Sequence, residues 1–374
     1  MRRDKTICAA MSGGVDSSVM AHLLLADGYT VTGATMTLYR PGMTLGEDGT
    51  LTWASCGSGD IPCGSDEDVR DAAAVCERLG IPHRVYDFGE DFCRHVIGDF
   101  VREYEAGATP NPCIVCNKHL KFGALLEAAL RDGADGIATG HYARVVYDEG
   151  SGRYLLKKAA DADKDQTYVL WQLTQNVLSR VLLPLGDYRK AEIREMAAAL
   201  GLATAHKSDS QDICFVPDGD YAAFLTRYTG RAPVPGEYIL EDGQVLGAHK
   251  GIIHYTIGQR KGLGIALGQP MFVKSKDPVS RRVILTTNDR LFERNVFVKN
   301  LNLIAAERLD EPVRCEVKIR YNHKGAPATL IPTGEDSALI RFDEPQRAPA
   351  DGQSAVFYDG DTVIGGGIIR QTKK

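Results

Sequence analysis

The first strong signal in this 374-residue chain is Thr6-Ile7-Cys8-Ala9-Ala10-Met11-Ser12-Gly13-Gly14-Val15-Asp16-Ser17-Ser18. The apolar run at residues 6–10 predicts a buried strand, and the apolar residues at 19–26 predict a helix that packs on it. The two adjacent glycines permit a tight turn and a close approach of the backbone to an anion. Serine hydroxyls and the N–H groups of a helix N-terminus favour negative charge at the same point. The stretch therefore predicts a strand, a glycine turn and a helix that together bind a phosphate group.

The spacing of this loop excludes two common phosphate-binding motifs. A Walker A loop requires G-x-x-x-x-G-K-[ST], and a dinucleotide-binding loop requires G-x-G-x-x-G after the first strand. The order Ser12-Gly13-Gly14-Val15-Asp16-Ser17 instead resembles the pyrophosphate loop (PP-loop) of the N-type ATP pyrophosphatases. Those enzymes split ATP between its α and β phosphates and so adenylate a substrate. The alternative interpretation is an ordinary helix N-cap with a glycine turn.

Length and composition predict a globular protein of two or three domains, since 44% of the 374 residues are apolar. We expect a cytoplasmic protein with no membrane association. Residues 1–5 lead straight into the first strand without a signal peptide, and no apolar run is long enough to span a bilayer. Nine cysteines, an odd number, indicate thiol or metal chemistry in a reducing compartment rather than a disulfide framework.

The charge is unevenly distributed along the chain. The whole protein has a net charge of −5, yet residues 245–330 contain fifteen Lys and Arg against seven Asp and Glu, a net charge of +8. A basic segment on an acidic protein favours contact with a phosphate backbone. The alternative is a solvated basic face with no partner.

Strands alternate with helices in the first part of the chain. We predict strands at residues 6–10, 31–38, 82–88 and 136–139, and helices at 19–26, 66–79, 91–106 and about 117–131. This alternation predicts an α/β fold with a doubly wound, mostly parallel sheet. The glycine-rich residues 40–65, which include Cys56 and Cys63, predict a long mobile loop over the site.

The pattern changes after the fourth strand. We predict a hairpin at residues 145–158, a helix opening at 164–167 and another helix at 188–200. Five or six short alternating runs between residues 295 and 370 predict a small β-barrel. The predicted domains are therefore residues 1–217 with the phosphate loop, a central β-rich connecting domain at 218–292, and a C-terminal β-barrel at 293–374.

Two cysteines occur in contexts that favour reactivity. Cys116 is predicted to begin a helix beside Lys118, where the helix dipole and a nearby cation lower the pKa of a thiol. Cys214 follows a polar run and is predicted to lie on an exposed loop that carries it toward Cys116. Each cysteine alone has a structural alternative. Together with an adenylating loop, the pair favours sulfur chemistry.

Taken together, these motifs resemble those of the tRNA-specific 2-thiouridylase family, within the N-type ATP pyrophosphatase superfamily. The resemblance covers nearly the whole chain. It rests on residues 11–18, Met36, residues 109–112, 116–118, 121–122, 138–142, 164–166, 212–215, 254–264 and 320–321. The resemblance implies ATP-dependent 2-thiolation of the wobble uridine, position 34, of tRNA, with tRNAs for Lys, Glu and Gln as usual substrates. The C2 oxygen is adenylated and replaced by sulfur from a cysteine persulfide, giving 2-thiouridine, AMP and pyrophosphate.

The resemblance also implies residue roles. Cys116 corresponds to the catalytic nucleophile and Cys214 to the persulfide-bearing cysteine, and the two are able to form a disulfide. The implied ATP contacts are Ala10, Met11, Ser12, Gly13, Gly14, Val15, Asp16, Ser17, Met36 and Gly140. The implied tRNA contacts are Asn111, Pro112, Cys113, His141, Lys164, Asp165, Gln166, Arg320, Tyr321 and Gln353, with the C-terminal barrel as a tRNA-binding domain. The implied partners are tRNA, Mg²⁺ with ATP, and a persulfide donor protein, either a cysteine desulfurase or a sulfur relay protein.

One departure from the family pattern leaves the sulfur chemistry open. Position 113 is Cys where many relatives have Asp. A second interpretation is therefore open, in which the thiolates of Cys113, Cys116 and Cys214 together hold a labile iron–sulfur cluster with an open fourth position. A metal-dependent tRNA thiolase, another adenylating enzyme and a non-catalytic tRNA-binding protein are the rival interpretations. Asp16 is expected to hold either the metal ion or the loop.

Overall fold

The computed structural model describes residues 4–38, 43–45, 51–53, 66–202 and 213–370. In its first half the strands are β1 (Thr6–Ala10), β2 (Thr30–Thr37), β3 (Met43–Leu45), β4 (Leu51–Trp53), β5 (His83–Asp87), β6 (Gly136–Ala138), β7 (Arg144–Asp148), β8 (Arg153–Lys157) and β9 (Val181–Leu182). The α-helices are α1 (Val15–Ala26), α2 (Asp66–Leu79), α3 (Gly89–Asp91), α4 (Gly98–Glu105), α5 (Pro112–Cys116), α6 (Leu125–Arg131), α7 (Gln175–Leu178), α8 (Lys190–Ala199) and α9 (Tyr221–Thr229). Two π-helical segments, Phe92–Ile97 and Asn117–Ala124, continue α3 into α4 and α5 into α6. No helix among the described residues is long and apolar enough to cross a bilayer.

Five parallel strands form the first sheet, in the order β5-β2-β1-β6-β9. Alternate residues of β1 face opposite sides of this sheet. Cys8 packs in the apolar core that contains α6, whereas Ile7 and Ala9 pack in the core that contains α1. Helices therefore cover both faces, and the predicted doubly wound α/β fold is confirmed.

The second half of the chain is built mainly from β-strands. The four strands β10 (Gly236–Leu240), β11 (Val245–His249), β12 (Phe272–Asp277) and β13 (Arg282–Thr286) form a sheet in the order β11-β10-β13-β12. They are followed by β14 (Phe292–Leu303), β15 (Val313–Lys318), β16 (Ala326–Gly334), β17 (Ser337–Arg347), β18 (Ser354–Asp359) and β19 (Thr362–Ile369). These six pair in the order β14-β17-β16-β15-β18-β19, and β19 returns to pair with β14. The predicted C-terminal barrel is confirmed.

The hairpin predicted at residues 145–158 exists as β7 and β8, but it extends the barrel rather than the parallel sheet. Lys157 of β8 pairs with Thr362 of β19. Nearby, the Trp171 indole N–H donates to the Ser354 hydroxyl at 3.0 Å. The barrel therefore packs directly on the first domain, and the two share one apolar core.

The helix predicted to open at residues 164–167 is absent from the structure. Instead, Thr167–Val169 makes a single 3-10 turn. The Asp165 carboxylate accepts from the Ala159 N–H at 3.1 Å and from the Thr167 hydroxyl at 2.6 Å. Because an Asp side chain that bonds to nearby groups competes with helical hydrogen bonds, this segment folds as a turn.

Helix α9 lies beyond the predicted boundary at residue 217 but packs on the first domain. Its Phe224 and Leu225 belong to the same buried cluster as Phe92 and Phe100 from the helix before the cysteine segment. This cluster also contains Cys116. Helix α9 therefore helps to support the wall of the candidate site.

Candidate active site at the edge of the parallel sheet

The glycine turn after β1 has the geometry that an anion requires. Gly13 has a φ of 69°, and a Cβ at this position would lie 2.6 Å from the Asp68 carbonyl oxygen. Only glycine fits this position without displacing α2. Gly14 is the N-cap of α1 and supplies no side-chain cap, so the first N–H groups of the helix lack intrahelical acceptors. An incoming anion can accept hydrogen bonds from them.

Serine side chains stabilise the same turn from inside. The Ser17 hydroxyl donates to the Gly14 carbonyl oxygen at 3.0 Å and accepts from the Ser12 N–H at 3.2 Å. The Ser18 hydroxyl donates to the same carbonyl at 2.8 Å. These bonds hold the loop in one conformation before any ligand arrives.

Two neighbouring strands complete this edge of the sheet. Gly140 follows β6, and a Cβ there would lie 3.1 Å from both Asp16 Cβ and the Ser17 backbone nitrogen. Met36 is the second-last residue of β2 and packs against the cluster that contains Cys116. The structure therefore gathers the residues predicted to contact ATP at the carboxyl ends of β1, β2 and β6, where nucleotides bind in open α/β sheets.

The Asp16 carboxylate is held by two side chains from elsewhere in the chain. Lys190 Nζ lies 2.8 Å from each of its oxygens, and the Tyr142 hydroxyl donates to Oδ1 at 2.8 Å. Lys190 is only 8% exposed. Of the two roles expected for Asp16, holding the metal ion or holding the loop, these contacts favour the second. Lys190 was not among the residues that the sequence predicted at the site.

The cysteine helix begins earlier than predicted. Helix α5 starts at Pro112, and the Asn111 side chain caps it by accepting from the Cys113 N–H at 3.1 Å. Cys116 is therefore the fifth helical residue, and the prediction that it begins a helix is wrong. Because the helix dipole acts mainly within the first turn, Cys116 lies beyond its main range at this end of the helix. Asn at the N-cap and Pro at the first helical position were the overlooked sequence signals.

The three cysteines near the candidate site differ in their exposure to solvent. Cys113 and Cys214 are exposed, whereas Cys116 is 9% exposed. Cys214 lies in a tight turn closed by a 2.8 Å bond from the Val216 N–H to the Ile213 carbonyl oxygen. Its neighbour Phe215 packs in the same cluster as Cys116.

Cys113, Cys116 and Cys214 do not fit an iron–sulfur cluster in this arrangement. Among the residues that the structure describes, no three His, Cys, Asp or Glu side chains are close enough to share a metal ion. Cys113, Cys116 and Cys214 therefore do not form the three-thiolate ligand set that the sequence allowed. Cys56 and Cys63 lie outside the described residues, as does most of the predicted loop at 40–65, within which β3 and β4 form a short hairpin.

Several of the residues predicted to contact tRNA meet at the junction between the barrel and the cysteine helix. Burial raises the pKa of the Tyr321 phenol, and the nearby side chains of Asp165, Lys164 and Cys113 also affect this pKa. The Tyr321 ring, 42% exposed, also meets the Tyr168 ring edge-on at 6.0 Å. Barrel, turn and cysteine helix are therefore neighbours at this point.

Other predicted tRNA contacts have structural partners. His141 is buried and bonds to the Thr139 hydroxyl at 2.7 Å, and burial holds its pKa well below the usual 6.5, so it is neutral at pH 7. The Gln166 side chain accepts from the Tyr142 N–H at 2.9 Å. Gln353 donates to the Thr109 carbonyl oxygen at 2.7 Å.

The segment before the cysteine helix is held by contacts from the barrel and from the central sheet. Besides Gln353, the barrel contributes the Asp351 carbonyl oxygen, which accepts from the Thr109 N–H at 2.7 Å. From the central sheet, the buried Lys276 ammonium donates to the Tyr255 carbonyl oxygen at 2.8 Å and to that of Ala108 at 3.4 Å. The position of the cysteine helix therefore depends on how the domains pack.

Comparison with known proteins agrees with this architecture. Residues 5–218 match the family described as tRNA methyl transferase HUP domain, residues 222–287 the tRNA methyl transferase PRC-barrel domain, and residues 293–369 the aminomethyltransferase beta-barrel domain. The chain is 46% identical over 372 residues to the tRNA-specific 2-thiouridylase MnmA of Clostridioides difficile, with 100% of both chains covered. It is 47% identical over 367 residues to the protein of the same name from Lachnoclostridium phytofermentans, covering 98% of this chain and 99% of that one. The relative from Solibacter usitatus is 47% identical over 376 residues, with 98% and 99% covered.

Proposed function

Because this chain belongs to the tRNA-specific 2-thiouridylase family, we propose that it uses ATP to replace the C2 oxygen of the wobble uridine, position 34, of tRNA with sulfur. The proposed substrates are tRNAs for Lys, Glu and Gln. The observation that carries the proposal is that the sheet edge with the glycine turn also contacts the apolar cluster of the cysteine segments. Met36, near the end of β2, packs against the cluster that contains Cys116 and Phe215, the neighbour of Cys214.

The descriptions of the matched segments mention methyl transfer, whereas the full-length relatives are named for thiolation. The residues of this chain fit thiolation better. Replacing a carbonyl oxygen of uracil with sulfur requires a nucleotide that activates the oxygen and a thiol that carries the sulfur. The phosphate loop and the two cysteine segments supply sites for both.

The first proposed step activates the C2 oxygen, which is otherwise a poor leaving group. ATP supplies an adenylyl group to this oxygen, and pyrophosphate leaves. The N–H groups at the start of α1 and the hydroxyl of Ser12 would stabilise the negative charge on pyrophosphate, with Mg²⁺ bound to the phosphates sharing it. Because these donors are already fixed by the loop's own hydrogen bonds, they need little reorganisation during the reaction.

The second proposed step delivers sulfur. An external persulfide donor, a cysteine desulfurase or a relay protein, transfers sulfur to the exposed Cys214 thiol to form a persulfide. The Cys116 thiolate then attacks the Cys214 Sγ, forming a Cys116–Cys214 disulfide and releasing hydrosulfide. Hydrosulfide attacks C2, and AMP departs with the original oxygen. An external thiol must then reduce the disulfide with two electrons before the next turnover.

The proposed tRNA surface crosses from the barrel onto the central domain. Arg320 donates to the Arg347 carbonyl oxygen at 3.1 Å, and Arg347 in turn donates to the Gly258 carbonyl oxygen at 3.4 Å. The turn that follows Gly258 carries Arg260 and Lys261. Both are exposed, and no ion pair joins them to any part of the chain that the structure describes. Cations without acidic partners are available to neutralise phosphates.

The test of the proposed function is direct. The purified protein is incubated with ATP, Mg²⁺, a persulfide donor, a thiol reductant and unmodified tRNA, and the tRNA nucleosides are then analysed. We expect 2-thiouridine at position 34 and one pyrophosphate released for each thiolated base. Release of pyrophosphate without any thiolated nucleoside would indicate a different adenylating enzyme, and tRNA binding without pyrophosphate release would indicate a binding protein.

The cysteine variants separate the thiol route from a cluster route. In the thiol route, Cys116→Ala and Cys214→Ala each abolish thiolation, because one thiolate must attack and the other must carry sulfur. Cys113→Ala retains most of the activity, and it is the matched control because Cys113 is exposed on the same helix as Cys116. Metal-free protein should be fully active with a persulfide donor. Activity that appears only after cluster reconstitution and is lost in Cys113→Ala would overturn this route.

A further inference from the structure

The phosphate loop has no lysine in its own sequence, unlike a Walker A loop, in which a lysine reaches the outer phosphates. The structure places one there from a distant part of the chain. Lys190 is 174 positions away from Asp16, yet its Nζ lies 2.8 Å from both carboxylate oxygens. Asp16 is the second residue of α1. The Lys190 ammonium therefore lies within one side chain's length of the N–H groups that would receive a phosphate.

The position of Lys190 is unfavourable for the stability of its own helix. It is the first residue of α8, where the helix dipole disfavours a cation. Its side chain is also nearly buried, at 8% exposed. Replacing a buried ion pair with apolar residues is often neutral or stabilising, so the pair itself is weak evidence of a structural role. A role in binding an anion accounts for both features.

The surroundings hold the ammonium at the loop. Tyr142 donates its hydroxyl to Asp16, and its ring centroid lies 5.7 Å from Lys190 Nζ, within range for a cation–π interaction. The backbone N–H of Lys190 donates to the Asp161 carboxylate at 2.9 Å, which fixes the start of α8. The charge of Lys190 also offsets that of Asp16, which would otherwise repel a triphosphate.

We infer that Lys190 is the cation of this phosphate loop: it contacts the β and γ phosphates of ATP and stabilises the pyrophosphate that leaves, while Asp16 and Tyr142 position it. The inference rests on the proposed use of ATP. It assigns to a lysine on α8 the role that the loop lysine has in a Walker A site.

The first test compares Lys190→Met with Lys190→Arg and with Arg194→Met, a control that removes an exposed cation from the same helix. We expect Lys190→Met to lower kcat for tRNA-dependent pyrophosphate release by about 100-fold, the usual loss for one preorganised donor to a developing anion. Lys190→Arg should recover part of that loss, and Arg194→Met should behave as the unaltered protein. Affinity for tRNA should be unchanged in all three.

A binding measurement provides a second readout that does not depend on turnover. Inorganic pyrophosphate should raise the melting temperature of the unaltered protein and of Arg194→Met, because a ligand that binds only the folded state stabilises it. Lys190→Met should lose most of this increase. An undiminished increase would overturn the inference.

The double variant Asp16→Asn/Lys190→Met distinguishes phosphate contact from a structural ion pair. If Lys190 served only to neutralise Asp16, removing both charges would restore activity and overturn the inference. If Lys190 contacts phosphate, the double variant stays as inactive as Lys190→Met although it folds and binds tRNA. Absence of pyrophosphate release from the unaltered protein would instead refute the proposed function.

Discussion

Gly13 shows how one missing side chain shapes the site. Its left-handed φ of 69° and the Asp68 carbonyl oxygen, 2.6 Å from where a Cβ would lie, both require glycine. Gly80 offers a comparison, because it also has a φ of 69° but nothing lies within 4 Å of its Cβ position. Substitutions at the two glycines therefore separate the free-energy cost of a left-handed backbone from the free-energy cost of a steric collision.

We predict that Gly13→Ala and Gly80→Ala each lose about 1 kcal/mol of folding free energy from the left-handed conformation. Gly13→Ala should lose more, and should also lose pyrophosphate release, because the collision moves the loop against α2. Chemical denaturation and a pyrophosphate assay measure the two effects. Equal stability and equal activity of the two variants would contradict the proposed geometry of the loop.

Among the elements, the turn at residues 258–264 extends the basic surface of the barrel onto the central domain. Arg260 on this turn has no ion-pair partner among the described residues. Arg290, on the same domain, pairs with Glu241 at 3.1 Å. The two arginines have the same charge. Arg290 has a nearby carboxylate that competes with phosphate for it, whereas Arg260 has none among the described residues.

We predict that Arg260→Gln weakens tRNA binding and flattens the dependence of log affinity on log salt by about 0.7 to 0.9, the change for one lost phosphate contact. Arg290→Gln is the control and should leave the slope unchanged, since its charge is already offset. Binding at several salt concentrations measures the slopes. If both variants had the slope of the unaltered protein, Arg260 would belong to a solvated face.

At the level of the whole molecule, a buried lysine joins the central domain to the first domain. Lys276 of β12 donates to the backbone of the segment before the cysteine helix. Burial lowers its pKa from 10.5 to about 8. Between these pH values the unfolded chain binds a proton that the folded protein does not, so stability due to this group rises with pH over this window.

We predict that the free energy of unfolding, relative to that of Lys276→Met, rises by about 3 kcal/mol between pH 8 and pH 10.5, at about 1.4 kcal/mol per pKa unit. Below pH 8 the difference between the two proteins should not depend on pH. Lys299→Met, which removes an exposed lysine from the barrel, is the control and should keep the pH dependence of the unaltered protein. A constant difference between the unaltered protein and Lys276→Met across the window would refute the assignment.

Local patterns in the chain were sufficient for the family, the fold class and the main elements. The order Ser12-Gly13-Gly14-Val15-Asp16-Ser17 identified a pyrophosphate loop, because a tight turn before a helix is specified within a few residues. Alternating apolar residues predicted the barrel, because the alternation within each strand indicates which of its faces is buried. The family assignment is confirmed by relatives 46–47% identical over nearly the full chain. The start of α5 was also local, and the signals at Asn111 and Pro112 were overlooked.

Contacts between distant residues required the folded chain. Lys190 meets Asp16 across 174 positions, and Gln353 meets Thr109 across 244. The hairpin β7–β8 joins the barrel rather than the sheet that precedes it. A sequence pattern records burial and backbone preference within one element, whereas these contacts depend on which faces of separate elements pack together. The cation beside the phosphate loop therefore appears only when α8 lies against α1.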